Sequence, residues 1–95
     1  MENVYKIEAE RLEKMEEVWR FCKTTRLREI EILLEEAMSY GDLENNAEYE
    51  WATAEMENLR KKLAEMEHIL SHAVIVEADG TERPYDFPGK KEANA

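Results

Sequence analysis

The sequence predicts an all-α protein, a long antiparallel two-helix coiled-coil hairpin with a short irregular C-terminal tail. Three observations predict this fold. Charged residues make up 38% of the 95 residues, and the chain has only three Gly and two Pro. Two segments carry apolar residues at alternating spacings of three and four, which is the heptad pattern of a coiled coil. A chain of this length forms one small domain and cannot enclose a large active site of its own.

The second half of the chain contains the clearer of the two heptad seams. Its members are Tyr49, Ala52, Met56, Leu59, Leu63, Met66, Leu70 and Ala73. The first half repeats the spacing at Leu12, Met15, Trp19, Cys22, Ile30, Leu33, Ala37 and Tyr40. Arg26 interrupts this first seam, and Leu27, the next residue, can fill the layer instead.

Residues 41–46, Gly-Asp-Leu-Glu-Asn-Asn, separate the seams and predict the tip of the hairpin. Gly41 suits the left-handed backbone conformation that follows a helix, and Asn45 with Glu48 three residues later resembles a capping pair. A loop this short makes the two helices antiparallel neighbours. Folding the chain about the tip places Trp19 opposite Met66, so the two seams meet layer for layer within one chain.

The chain divides into a hairpin domain over residues 1–76 and a tail over residues 77–95, which is expected to be partly disordered. Residues 74–76 are Val-Ile-Val and favour an extended strand, and residues 78–80 carry a turn signal. Pro84 and Pro88 exclude a continuing helix. The last residues, Lys90 to Ala95, are typical of a frayed terminus.

Charge is distributed very unevenly along the chain. Residues 29–59 contain ten acidic residues and no Lys or Arg, whereas the acids and bases elsewhere cancel, so this segment carries the whole net charge of −10. Free duplex DNA should repel such a segment. A soluble acidic coiled coil with no special function is the alternative explanation.

Six basic residues flank the acidic segment and form either a basic collar around the hairpin or intrahelical ion pairs: Lys23, Arg26, Arg28, Arg60, Lys61 and Lys62.

Membrane insertion and disulfide formation are not expected. No apolar run approaches the ~20 residues that span a bilayer. Cys22 is the single cysteine, so an internal disulfide cannot form and a cytoplasmic protein is expected.

His68 and His72, four residues apart, could ligate a metal from one helix face. No third ligand is evident beyond Glu65, so the pair is interpreted as a surface feature.

Asp42 and Glu44 form a carboxylate pair at the extreme tip. Hard cations such as Mg²⁺ take oxygen ligands and keep several waters, so one or two extra carboxylates can complete a site that another protein has partly built. In two-metal phosphoryl transfer such ions activate water and stabilise the leaving oxygen. The alternative is that both acids are ordinary polar turn residues.

Residues 41–49, Gly-Asp-Leu-Glu-Asn-Asn-Ala-Glu-Tyr, resemble the tip motif of the Gre transcript cleavage factors, Gly-Asp-Leu-x-Glu-Asn-Ala-Glu-Tyr. The similarity extends over roughly residues 12–76. It implies a coiled coil that enters the secondary channel of bacterial RNA polymerase, where tip acids help to hold an Mg²⁺ ion of the polymerase active site and a backtracked transcript is cut. Contact with the nascent RNA is indirect, and the domain at most stimulates the nuclease activity of the polymerase.

Within this resemblance Asp42 matches the first family acid, whereas Asn45 occupies the position of the second and Glu44 is shifted by one residue. Asp42 and Glu44 are therefore the predicted catalytic and Mg²⁺-binding residues. Thr53 replaces a residue that is usually basic, and the family continues into a C-terminal domain that grips the channel, so weaker binding is expected here. A non-cleaving channel-binding regulator and a plain oligomerising coiled coil are the alternatives, and the oligomeric state is left open.

Overall fold

A computed structural model of the chain describes residues 4–89, which form three α-helices, one π-helical turn and three short strands. In chain order these are β1 (Tyr5–Ile7), α1 (Ala9–Phe21), the π-helical turn (Cys22–Arg26), α2 (Leu27–Met38), α3 (Ala47–Ser71), β2 (Ala73–Val76) and β3 (Glu82–Pro84). The predominantly helical character is confirmed. The all-α class is confirmed only in part, because the three strands also form a small sheet. None of the helices in this part of the chain is both long and apolar enough to cross a membrane.

The chain divides into two compact units, which are described separately. The first contains the described residues up to Trp19 and from Ala64 onward and includes the whole sheet, and we call it the sheet unit. The second comprises Arg20–Leu63 and contains the predicted tip, and we call it the turn unit.

The sheet has the strand order β1-β2-β3. The first strand runs parallel to the second with Tyr5 opposite Ala73, and the third runs antiparallel to the second with Val76 opposite Glu82. The predicted β-preference of residues 74–76 is confirmed. The strand at Tyr5–Ile7 was not predicted, since three residues carry no usable periodicity and pairing with β2 supplies the reason for their extended form.

A tight turn joins β2 to β3. The Glu77 N–H donates to the carbonyl oxygen of Thr81 at 2.8 Å, and the Gly80 N–H donates to the carbonyl oxygen of Glu77 at 2.9 Å. Gly80 has φ of +89°, the left-handed region that glycine adopts without strain. The Asp79 carboxylate accepts from the Thr81 hydroxyl at 2.7 Å and from the Thr81 N–H at 3.0 Å, and these two bonds lower the pKa of Asp79.

Trp19 lies at the centre of the sheet unit. Trp19 is 2% exposed, and its indole Nε1 donates to the Glu67 carboxylate at 3.0 Å. Glu67 is adjacent in sequence to Met66, the residue that was predicted to lie opposite Trp19. The Phe87 ring packs edge-on against it at a centroid distance of 4.7 Å. The other fully buried large side chains of this unit are Leu12 and Leu70. These contacts place the C-terminal segment against the helices.

The predicted irregular tail is confirmed only in part for the described residues after position 76, because the segment contains one short strand and packs against the helices. Residues Glu82–Pro84 form β3, and Phe87 is 2% exposed. Gly89 lies so close to the aromatic cluster that an added Cβ would be 2.4 Å from Phe87 Cζ and 2.6 Å from Trp19 Cζ2. The predicted frayed terminus, Lys90 to Ala95, lies outside the described residues.

In the turn unit, the π-helical turn explains the break in the first heptad seam. The Leu27 N–H donates to the carbonyl oxygen of Cys22, five residues back instead of four. The Thr24 hydroxyl donates to the carbonyl oxygen of Arg20 at 2.7 Å, a side-chain bond that competes with the backbone ladder. Such a turn accommodates one extra residue. Arg26 and Leu27 are both half-buried, so the two residues share the interrupted layer.

The extra residue also shifts the seam that follows. Ile30 and Ala37 are each 1% exposed and belong to the core, as predicted, and Leu34 is half-buried. Leu33 is 38% exposed and Tyr40 is 72% exposed, so their predicted seam positions are wrong. The buried apolar residues of α3 within this unit are Ala52, Met56 and Leu59.

Candidate functional site

The predicted tip begins where α2 ends, at Met38. The Gly41 N–H donates to the carbonyl oxygen of Met38 at 3.1 Å, and Gly41 adopts φ of +90°. The predicted left-handed conformation of Gly41 is confirmed. A side chain at this position would be strained, although nothing lies within 4 Å of the site of its Cβ.

Asn46 is the N-cap residue that precedes α3, and its side chain links the two ends of the loop. Its side-chain oxygen accepts from the Tyr49 N–H at 3.0 Å, which is the bond of a helix N-cap. Its side-chain nitrogen donates to the carbonyl oxygen of Ala37 at 2.7 Å, near the end of α2. The bond between α2 and the start of α3 confirms that the two helices of the turn unit are joined by a short reversal. The predicted cap at Asn45 is wrong by one residue.

Asp42 and Glu44 are both exposed on this loop, but only Asp42 lines its concave face. The Asp42 Oδ2 atom accepts from the Asn45 amide nitrogen at 3.4 Å. An open concavity brings Asp42 together with Tyr40, Asn45, Asn46, Ala47 and Glu48, and Glu44 is not among the residues that line it. The second acid on the concave face is therefore Glu48, which the sequence suggested only as part of a cap.

The loop lies inside a strongly acidic stretch. The first turn of α3 contributes Glu48 and Glu50, where the positive end of the helix dipole favours negative charge. No Lys or Arg occurs between residues 29 and 59 to neutralise these acids. The loop therefore presents oxygen ligands in a negative potential, which attracts cations and basic surfaces.

Two members of the predicted basic collar are paired with acids at the edge of this stretch. Arg26 lies 3.0 Å from the Glu29 carboxylate and 3.8 Å from that of Glu55. Arg28 lies 3.3 Å from the Glu31 carboxylate. For Arg26 and Arg28 the structure supports the ion-pair interpretation.

The loop does not build a complete metal site by itself. Within residues 4–89 there is no group of three or more His, Cys, Asp and Glu side chains placed to hold one ion. Asp42 and Glu48 offer carboxylate oxygens, the donor type that Mg²⁺ prefers. What the loop can supply is one or two ligands to an ion that another molecule also holds.

Comparison with known proteins assigns the chain to a family. The family described as "Transcription elongation factor, N-terminal", the N-terminal domain of GreA and GreB, matches residues 5–75. The chain belongs to this family. It is 35% identical over 81 residues to transcription elongation factor GreA of Macrococcus caseolyticus, covering 85% of this chain and 51% of the relative. Identity to GreA of Clostridium novyi is 36% over 73 residues, covering 77% and 46%.

The GreA protein of Bacillus subtilis is 32% identical over 79 residues, covering 83% of this chain and 50% of the relative. The chain thus spans about half the length of the curated relatives it matches. No solved structure matches. In the Gre tip motif Asp42 coincides with the first acid, and Glu48 coincides with the glutamate of the Ala-Glu-Tyr end.

Proposed function

We propose that this Gre N-terminal domain enters the secondary channel of bacterial RNA polymerase and stimulates cleavage of backtracked transcripts. The observation that carries the proposal is the position of Asp42 on the concave face of an exposed loop whose two ends Asn46 joins. The domain works in the cytoplasm and contacts nascent RNA only through the polymerase. It is not an enzyme by itself, because the polymerase supplies the reacting groups.

The charge of the loop supports a partner that provides cations. Ten acids without a base over residues 29–59 disfavour binding to duplex DNA and favour a channel lined by basic side chains and occupied by Mg²⁺. Steering by such a field speeds association and weakens with added salt. Binding to the polymerase should therefore become slower as ionic strength rises.

Asp42 is the proposed ligand of the shared ion. When bound, Mg²⁺ would activate a water and stabilise the oxygen that leaves the transcript. Asn45 donates to Oδ2 of Asp42 and so orients the carboxylate. Glu48, on the same concave face, reinforces the negative potential there, whereas Glu44 reaches the ion only if the loop rotates.

Asn45 also motivates the second candidate function, a channel-binding regulator that does not promote cleavage. An amide at the position of the second family acid is a weaker cation ligand than a carboxylate. In that case the domain would occupy the channel and exclude other factors while the transcript stays intact. A plain oligomerising coiled coil would show no polymerase binding that a known channel-binding competitor displaces.

The test is a transcript-shortening time course on stalled elongation complexes, at domain concentrations that saturate polymerase binding. We expect weak Mg²⁺-dependent cleavage that Asp42→Asn abolishes. Asn45→Glu should raise the rate about tenfold, which corresponds to ~1.4 kcal/mol of additional transition-state stabilisation.

Two further substitutions distinguish the remaining acids of the loop. Glu48→Gln should lower the cleavage rate more than Glu44→Gln, because only Glu48 shares the concave face with Asp42. If the parent and the Asn45→Glu variant bind the polymerase and both leave the transcript intact, the cleavage proposal fails and the regulator takes its place. If none of the proteins binds, channel entry itself is wrong.

A further inference from the structure

We propose that His68 and His72 form a two-imidazole site for a divalent transition metal, with copper(II) bound more tightly than nickel(II) or zinc(II). His68 lies in the last turn of α3, and His72, four positions on, is the first residue after the helix, where its N–H donates to the carbonyl oxygen of Ile69 at 3.2 Å. Their ring centroids are 4.5 Å apart, with the ring planes at 41°. Two rings this close can each direct one nitrogen at a single ion, at the ~2.0–2.1 Å typical of metal–imidazole bonds.

The hydrogen bond of His72 prepares it as a ligand. Its Nδ1 lies 2.8 Å from the carbonyl oxygen of His68. A carbonyl oxygen can only accept, so Nδ1 carries the proton, and the lone pair of the neutral ring is on Nε2. Metal-binding histidines commonly donate their second ring nitrogen to a carbonyl or carboxylate in this way, which fixes the tautomer and the ring orientation. His72 therefore holds Nε2 ready for an ion.

Tyr5 connects the pair to the sheet. Its ring packs edge-on against the His68 ring at 5.8 Å and 84°. Its backbone N–H donates to the carbonyl oxygen of His72 at 3.0 Å. One residue of β1 therefore contacts both histidines, the first through its ring and the second through its backbone. Ligands that are already oriented lose less conformational entropy when an ion binds.

The donor set determines the class of ion. Imidazole nitrogens suit copper, nickel and zinc, whereas Mg²⁺ and Ca²⁺ require oxygen ligands. Glu65, one helical turn before His68, lines an open concavity with His68 and Tyr5. Since no group of three His, Cys, Asp or Glu residues is in place within the described range, solvent would complete the coordination. For similar ligands the affinity order peaks at copper(II).

The location gives the site a structural consequence. His72 immediately precedes β2, and the hydrogen bond from Tyr5 reaches its carbonyl oxygen. An ion bound by both rings would hold the last turn of α3 where the chain enters the sheet. Because the unfolded chain lacks this geometry, binding would raise the melting temperature in proportion to the metal supplied. The stability of the sheet unit would then respond to transition metals, independently of the acidic loop.

The experiment uses the full chain without a purification tag, and copper(II), zinc(II) or Mg²⁺ alone as the probe. Histidine occurs only twice in the sequence and the single cysteine is buried, so one substitution leaves no second imidazole. Titration calorimetry and copper electron paramagnetic resonance should report one site with nitrogen coupling from two imidazoles. His68→Ala and His72→Ala should each weaken copper binding about tenfold or more and lose one nitrogen coupling.

A matched variant separates ligand loss from misfolding. Combining His72→Ala with Ala64→His restores a pair four residues apart on the exposed face of α3, and two-nitrogen coupling should return. The melting temperature of the parent should rise with zinc(II) and not with Mg²⁺, and that rise should disappear in His68→Ala. Copper affinity that is equal in the parent and both single variants, or a copper spectrum without nitrogen coupling in the parent, overturns the proposal.

Discussion

The side-chain amide of Asn46 donates a 2.7 Å hydrogen bond to the backbone carbonyl oxygen of Ala37. The last four carbonyl groups of a helix lack the usual partner within the helix, and the Ala37 carbonyl at the end of α2 accepts from Asn46 in addition to the Tyr40 N–H at 3.3 Å. The oxygen of the same amide caps α3 through the Tyr49 N–H. One side chain thus serves two helix ends and sets the geometry of the acidic loop.

Asn46→Ala should lower the free energy of unfolding by ~1–2 kcal/mol, because it removes the N-cap bond and leaves the Ala37 carbonyl without this donor. Urea denaturation followed by circular dichroism measures the change. Asn45→Ala is the control, since Asn45 is exposed and its side chain makes the weaker 3.4 Å bond to Asp42. Its effect should stay within ~0.5 kcal/mol. Equal losses in the two variants would contradict the assignment of Asn46 as the cap.

The shifted seam predicts different costs for two neighbouring apolar residues of α2. Ile30→Ala should lower the free energy of unfolding by ~2–5 kcal/mol, because Ile30 is 1% exposed. Leu33→Ala should lower it by less than about 1 kcal/mol, because Leu33 is 38% exposed. A regular heptad through both positions predicts similar losses instead. Thermal and urea melts of the two variants decide between the registers.

The two helices and the Gly41 turn could be predicted because heptad spacing and glycine at a helix end are local signals. The seam after Cys22 could be predicted only in part: Ile30 and Ala37 are buried as expected, but Leu33 and Tyr40 are not, because counting in heptads assumes a regular α-helix and the π-helical turn adds one residue. The sheet could not be predicted for a different reason. Tyr5–Ile7 pairs with Ala73–Val76 from the other end of the described chain, and no local pattern reveals such a pairing.

At the candidate site the residue types were predictable and their grouping was not. The sequence places Asp42 and Glu44 two positions apart, which suggests a pair. In the structure Glu44 is not among the residues that line the concave face, whereas Glu48 from the first turn of α3 is. This grouping depends on Asn46, rather than Asn45, being the N-cap of the helix.

Gly89 is predicted to tolerate no side chain. A Cβ there would be 2.4 Å from Phe87 Cζ and 2.6 Å from Trp19 Cζ2, so both rings or the backbone of Gly89 must move. Gly89→Ala should lower the free energy of unfolding by ~1–3 kcal/mol and change the fluorescence of Trp19. Asp86→Ala, on an exposed residue of the same segment, is the matched control and should leave both properties near the parent values. An unchanged melt for Gly89→Ala would mean that the segment does not pack on Trp19.

The turn between β2 and β3 predicts a pH effect at Asp79. The Thr81 hydroxyl and N–H both donate to the Asp79 carboxylate and hold its pKa below the usual range for aspartate. A lowered folded-state pKa contributes stability above the unfolded pKa, and that contribution disappears as the pH falls through the folded pKa. Carbon-detected NMR titration should show the low value, and Thr81→Val should raise it towards normal by removing the hydroxyl. An identical titration in both proteins would contradict the hydrogen bond.

The π-helical turn makes the chain tolerant of one particular deletion. Removing the exposed residue Thr25 leaves Leu27 four positions after Cys22 instead of five, so the turn can close into a regular α-helix with the buried layers kept in place. Helix content should be retained, and the free energy of unfolding should be within ~1 kcal/mol of the parent or higher. Circular dichroism with urea denaturation measures both quantities.

Deleting Glu57 from α3 is the matched control for that experiment. Glu57 is also exposed, but it lies between the buried residues Met56 and Leu59 in a regular α-helix that has no extra residue to lose. Its removal carries Arg60 into the position of Leu59, and a charge buried without a partner costs ~3–5 kcal/mol. If the Thr25 deletion is as damaging as the Glu57 deletion, the extra residue does not reside in the turn at Cys22–Arg26. If only the Glu57 deletion is damaging, the interruption at Arg26 is a one-residue insertion that the helix absorbs.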